Sequence, residues 1–127
     1  MPTYDELIRI TAEANKLGGG VAGIGLLGAR GFWSTYSWEH IAAQAGMQLF
    51  DANWNPTLNT DAGIKGLETL LALSKNAIEG VSGAGWGENR AAWLGGQVAA
   101  NISWQDSGTQ AMRPDQSQIV DDFVTIY

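Results

Sequence analysis

The feature that most constrains this chain is a pattern met twice: an amphipathic helical stretch, a glycine stop, and then a short apolar run. Thr3 with Glu6 three residues on reads as a capping box. Tyr4, Leu7, Ile8, Thr11 and Ala14 then recur at helical spacing, so residues 3–17 read as an amphipathic helix. Gly18-Gly19-Gly20 stops it, and residues 21–27 follow as a glycine-rich buried strand. Near the other end, WGENRAAWLGGQVAANISWQDSG holds a short helix over 88–94, a stop at Gly95-Gly96, an apolar strand from Val98, and Trp104 where the run meets a polar turn. Helices alternating with short apolar strands argue an α/β fold.

Between these units, residues 28–37 read as a loop carrying Arg30, Phe32, Trp33 and Tyr36, and residues 38–45 as a short helix ending at Gly46. Residues 48–58 are extended or hairpin-like, with turn chemistry at Asn53-Trp54-Asn55-Pro56. Thr60 caps a helix running to about Lys75, with Ile64, Leu67 and Leu71 on one face. Residues 82–85 read as a flexible entry to the next helix. Residues 109–117 are polar and loop-like, and residues 119–127 are ambiguous between strand and helix.

Composition narrows the functional classes. The chain has 127 residues, 45% apolar and 16% charged, with mean hydropathy near zero: one domain-sized globular unit. No run approaches the ~18 apolar residues of a transmembrane helix. A net charge of −6 without a Lys/Arg cluster argues against nucleic acid and anionic membrane surfaces. With no cysteine, thiolate catalysis, disulfides and zinc–thiolate sites are excluded. The sole histidine, His40, would have to be the base of any Ser–His pair, and its place in a short helix points to the surface. No metal ligand set, catalytic group or cofactor is implied.

Three motifs fall short. Residues 18–23 and 23–28 both match GxGxxG, but a dinucleotide fingerprint needs a strand before it and a helix after it. Asp51-Ala52-Asn53-Trp54-Asn55 begins like a calcium loop, yet Pro56 and Ala62 stand where Gly and Glu are needed. It reads as an Asx-rich turn. Asn101-Ile102-Ser103 fits a glycosylation sequon inside a predicted buried strand.

The tryptophans carry the functional signal. There are six. Trp38 and Trp93 lie inside helices and read as core, and Trp54 lies in a turn. Trp33, Trp86 and Trp104 fall at element ends or in loops, where a ring can face either a cleft or the core. Flat apolar platforms beside hydrogen-bonding groups suit the faces of sugar rings. Asp106 follows Trp104 and Arg30 lies near Trp33; each is either a solvated turn charge or a partner for hydroxyls.

Four blocks in order resemble the extracellular solute-binding proteins of ABC importers, the sugar-receptor family that includes maltose-binding protein. Pro2-Thr3-Tyr4-Asp5-Glu6-Leu7 is similar to the family's "P-x-T-W-D/E-E-L". WEHIAAQAGMQLF, residues 38–50, is similar to its helix and turn "W…GG-x-LF/Y-D". NTDAGIKGLETLL, residues 59–71, is similar to "N-S/T-P-E-G-x-x-A-L-x-x-L", and residues 86–108 to a helix ending "AxxxGxxAM", a short strand and a ligand-stacking Trp. The chain departs from the pattern at Gly63 to Gly66, where an extra glycine weakens the helix, and at Ala100, where Met is common.

The resemblance implies an α/β part of one lobe of a bilobal, periplasmic-binding-protein-like (class II) receptor, with residues 1–127 one unit cut from a longer secreted protein and Met1 an added start. It implies binding of a sugar or polyol for uptake through an ABC permease, in the periplasm or outside the cell, without catalysis. Trp104 would stack on the ligand; Trp86, Trp33 and Tyr36 would be cleft aromatics, with Asp106 and Arg30 as polar partners. A piece of a lobe would expose strand edges, at residues 21–27 and 98–102, and could form a homo-oligomer. The competing classes are a stand-alone carbohydrate-binding module and, further off, a nucleotide-binding or enzyme domain.

Overall fold

The computed structural model describes residues 3–126. Helix α1 (Tyr4–Ala14) begins at the expected capping box: Thr3 N–H donates to Glu6 Oε2 at 2.8 Å, and Glu6 N–H donates to Thr3 Oγ1 at 3.2 Å. The Thr3 N–H and, after it, the Thr3 hydroxyl, which donates to Glu6 Oε2 at 3.0 Å, hold the exposed Glu6 carboxyl below the usual carboxylate range. A 3₁₀ turn and the glycine stop lead into strand β1 (Ala22–Gly25). Then follow α2 (Phe32–Gln44), α3 (Asp61–Ser74), α4 (Trp86–Leu94), β2 (Val98–Asn101) and α5 (Asp106–Ala111).

Strands β1 and β2 pair in parallel, with Ala22 opposite Val98, Ile24 opposite Ala100 and Gly25 opposite Asn101. A parallel pair needs a crossover, and the helices between the strands provide it. On its other side β1 meets Ala77 in a single parallel bridge at Ile24. Residues 21–27 are therefore not an open edge, contrary to expectation; β1 is bracketed. The core forms around it from Ile24, Leu26, Ile41, Leu70 and Leu73, all buried, with Tyr4, Leu7, Trp38 and Ile102 packed against them.

Three sequence readings change. The loop at 28–37 and the short helix after it are largely one helix, α2, starting at Phe32. Ser, Thr and aromatic residues have modest helix propensity, and no side chain caps this end, so nothing local signals the start. Tertiary contact supplies it: Ser37, Ile41 and Ala42 are buried, and Ser37 Oγ donates to Leu27 O at 2.9 Å. The polar stretch after Trp104 contains α5, which buries Ser107 and Ala111. Residues 119–126 form neither strand nor helix; Phe123 packs edge-on against Trp93 with ring centroids 5.6 Å apart. Tyr127 lies outside the described residues. The hairpin-like reading of 48–58 holds: Phe50 bridges Pro56, and Asp51 accepts from the amides of Asn53 and Asn55.

The face of α3 is also reversed. Ile64, Leu67 and Leu71 are about half exposed, while Gly63, Gly66, Thr69, Leu70 and Leu73 are buried. The glycines that weaken the helix in isolation are what bring α2 close. Trp38 Nε1 donates to Gly63 O at 2.9 Å. A Cβ at Gly66 would stand 2.4 Å from Ala42 Cβ and 2.7 Å from its Cα. Helix propensity alone predicts that Gly66→Ala stabilises the chain by about 1 kcal/mol. Packing predicts the opposite, because Ala42 is backbone-anchored and overpacking costs about 1–3 kcal/mol. Urea unfolding followed by circular dichroism should show a net loss; a gain would mean the helices do not meet as described.

Candidate functional site

The site grows from three junctions. The first is the start of α2. Phe32, Tyr36 and His40 recur every fourth residue on its outer side, and their rings run nearly parallel: Phe32–Tyr36 centroids lie 6.1 Å apart at 24°, Tyr36–His40 6.4 Å at 15°. Trp33 turns from that row toward α4, and its indole packs against Gly85.

The second junction is the start of α4. The segment before it is a pinned turn, not the flexible entry expected. Residues Val81–Gly83 form a 3₁₀ turn, and the amides of Gly28 and Ala29 both donate to Ala84 O at 2.9 Å. Glu88 Oε2 accepts from Gly85 N–H at 2.9 Å and closes the first turn. Trp86 is thus placed at the first helical position, beside the exit of β1.

The third junction is the exit of β2. Asn101 ends the strand, its Oδ1 accepting from the buried Asn89 Nδ2 at 2.9 Å. Three residues on, Trp104 lies flat on Tyr36, centroids 4.9 Å apart at 27°, and edge-on to Trp33 at 6.1 Å and 75°. Ser103 and Ser107 hydroxyls meet at 2.9 Å and turn the chain into α5.

Trp33, Trp86, Trp104, Gln105 and Asp106 line one open concavity of about 620 Å³. It lies beyond the C-terminal ends of the parallel strands, where open α/β sheets place ligands. Of the residues singled out from sequence, four line it. Tyr36 stands behind Trp104 and fixes that ring by stacking. Arg30 is exposed in the turn before α2 and is not among the lining residues. Gln105 was not anticipated, although it is next to Trp104. Nor was Arg90, whose guanidinium lies over the Trp86 ring, 4.0 Å from its centroid. The Trp86–Arg90 spacing of four within one helix is the signal that points to this pair.

The other motifs settle in plain structural roles. Gly18-Gly19-Gly20 turns α1 into β1, so neither GxGxxG match has a strand before it and a helix after it. The Asp51 carboxyl is held below its usual range by hydrogen bonds from Asn55 and Asn53 within its own turn. Among the described residues, no three or more His, Asp or Glu side chains gather to hold a metal ion, and no helix is long and apolar enough to cross a membrane.

Two solved structures share this fold. One is an ABC transporter solute-binding protein from Agrobacterium vitis S4 with bound D-mannitol, 24% identical, TM-score 0.85. The other, from Agrobacterium radiobacter K84 in complex with ribitol, is 21% identical, TM-score 0.84. Both alignments cover 94% of this chain, but only 29% and 30% of those proteins. Comparison with curated proteins gives no match. The family pattern "bacterial extracellular solute-binding protein" matches residues 1–123, and the chain belongs to that family.

Proposed function

We propose that the concavity is one wall of a sugar or polyol site in an extracellular or periplasmic receptor that delivers its solute to an ABC permease. The observation that carries this reading is the convergence of three indoles from three separate elements on a single open concavity, with Gln105 and Asp106 at its rim. A polyol offers C–H faces to indoles and hydroxyls to amide and carboxylate groups. The bound D-mannitol and ribitol of the two structural neighbours support that ligand class. Nothing in the reading needs covalent chemistry. The protein acts as a binder.

The wall is incomplete. Working sites bury most of a ligand's surface, whereas this concavity opens to solvent. The chain spans under a third of the length of its structural neighbours, and the reading takes residues 1–127 as one unit, part of a lobe, with the facing wall outside them. The half-exposed Ile64, Leu67 and Leu71 stripe and the outer edge of β2 are surfaces that such sequence would cover. In a complete receptor, ligand would bridge the two lobes and shift the balance toward the closed form that a permease reads.

Two outcomes follow. One wall leaves half the ligand hydrated, and association entropy offsets most of the stacking, so the chain alone should bind D-mannitol or ribitol with Kd in the millimolar range or weaker. Trp104→Ala should raise that Kd about tenfold or more while the protein stays folded. Titration followed through the indole N–H resonances checks both. Micromolar affinity would mean a site complete within this chain. Unchanged affinity together with a collapsed melting temperature would make Trp104 a core residue. Separately, light scattering at high protein concentration should reveal self-association through the uncovered surfaces; a clean monomer contradicts that.

A further inference from the structure

The concavity has two sides carried by different elements. Trp86 belongs to α4; Trp104, Gln105 and Asp106 belong to the β2–α5 junction. Trp33 touches both sides from within the lining, and a chain of contacts outside the lining also links them. Arg90 lies one turn beyond Trp86 and places its guanidinium over the Trp86 ring. Arg90 is not among the residues that line the concavity. The same guanidinium donates through Nε to Gln110 Oε1 on α5. With its oxygen engaged, the Gln110 amide directs its Nε2 toward Asp106 Oδ2, 3.5 Å away.

The order is therefore indole, guanidinium, amide, carboxylate. Both ends of this series line the concavity, and the two middle groups do not. Arginine fits the role better than lysine. Its planar fork stacks on an indole with one face while its edge donates to a second group, whereas an ammonium is a point charge on a flexible stem. Arg90 is half-buried, and no carboxylate is paired with it among the described residues.

We propose that Arg90 is a positioning residue of the ligand site. It clamps one face of Trp86 and, through Gln110, holds Asp106 at a set separation from that ring. The free indole face and the carboxylate then meet a polyhydroxyl ligand as a fixed pair. Ligands whose C–H face and hydroxyls match that separation are favoured. This role rests on the sugar or polyol reading above.

The test uses the whole chain with ¹⁵N-labelled, assigned indoles. Arg90→Lys keeps the charge and loses the fork; Gln110→Ala cuts the tie to α5 and leaves the stack. In Arg90→Lys without ligand, the Trp86 indole resonance should move and broaden, while the melting temperature and the Trp38 and Trp93 resonances stay in place. D-Mannitol titration read at Trp104 should show Kd raised about fivefold in both variants. An unmoved Trp86 resonance in Arg90→Lys overturns the clamp. A moved resonance with unchanged D-mannitol affinity overturns its role in binding. If Arg90→Lys lowers the melting temperature, Gln110→Ala decides: unchanged affinity there overturns the proposal. If the wild type shows no concentration-dependent shift at Trp86 or Trp104 at any attainable concentration of D-mannitol or ribitol, the ligand reading fails and the role in binding with it. The ligand-free Trp86 spectrum tells that outcome apart from failure of the clamp.

Discussion

Three elements of this fold meet at one amide. The Asn76 side chain donates through Nδ2 to Ile8 O and to Thr11 Oγ1 of α1, both at 3.0 Å. Its backbone carbonyl accepts from Ile24 N–H of β1 at 3.1 Å, and its own N–H donates to Leu73 O at the end of α3. Thr11 is fully buried and Asn76 nearly so, and a buried polar group left unpaired costs about 1–3 kcal/mol. The node is worth keeping only if α1, β1 and α3 arrive together. It fixes β1 from the side opposite β2, so the strand carries the helices on both flanks in register.

The aromatic site depends on that register. Gly28 and Ala29, just past β1, pin Ala84, and Ala84 leads directly to Trp86. β2 is aligned on β1 and delivers Trp104. α2 leaves β1 through Gly31 and returns Trp33 and Tyr36 to the same end of the sheet. Three indoles that are distant in sequence converge because the exits of β1 and β2 leave one short parallel pair at the same end, and the turn before α4 is pinned to the first of those exits. Their geometry is then tuned locally, by Tyr36 behind Trp104 and by Arg90 over Trp86.

What could be read from the sequence follows from where the information is local. The Thr3 capping box, the Thr60 cap, the glycine stops and the apolar runs are local, and α1, β1, α3, α4 and β2 were legible to within a few residues. The start of α2 and all of α5 were not, because FWSTYS and DSGTQA have no strong propensity and fold against neighbours. The face of α3 was misjudged for a related reason. Periodicity finds large apolar residues, but here the buried stripe is small so that α2 can approach. Trp33, Trp86, Trp104 and Asp106 could be singled out as residues able to line a concavity because they lie at element ends. Arg90 and Gln110 were not, because their role is to connect two elements whose proximity no local pattern reveals.

The central claim is that a polyhydroxyl ligand lies against the indoles of this one wall. Intermolecular NOEs measured with isotope-labelled chain and excess unlabelled D-mannitol test it most directly. NOEs are expected from the ligand's C–H protons to the ring protons of Trp86 and Trp104, and none to Trp54, the most exposed tryptophan of the chain at 80%. NOEs confined to Trp54 and Phe50, or no NOEs to any indole under conditions where the ligand saturates, would contradict it.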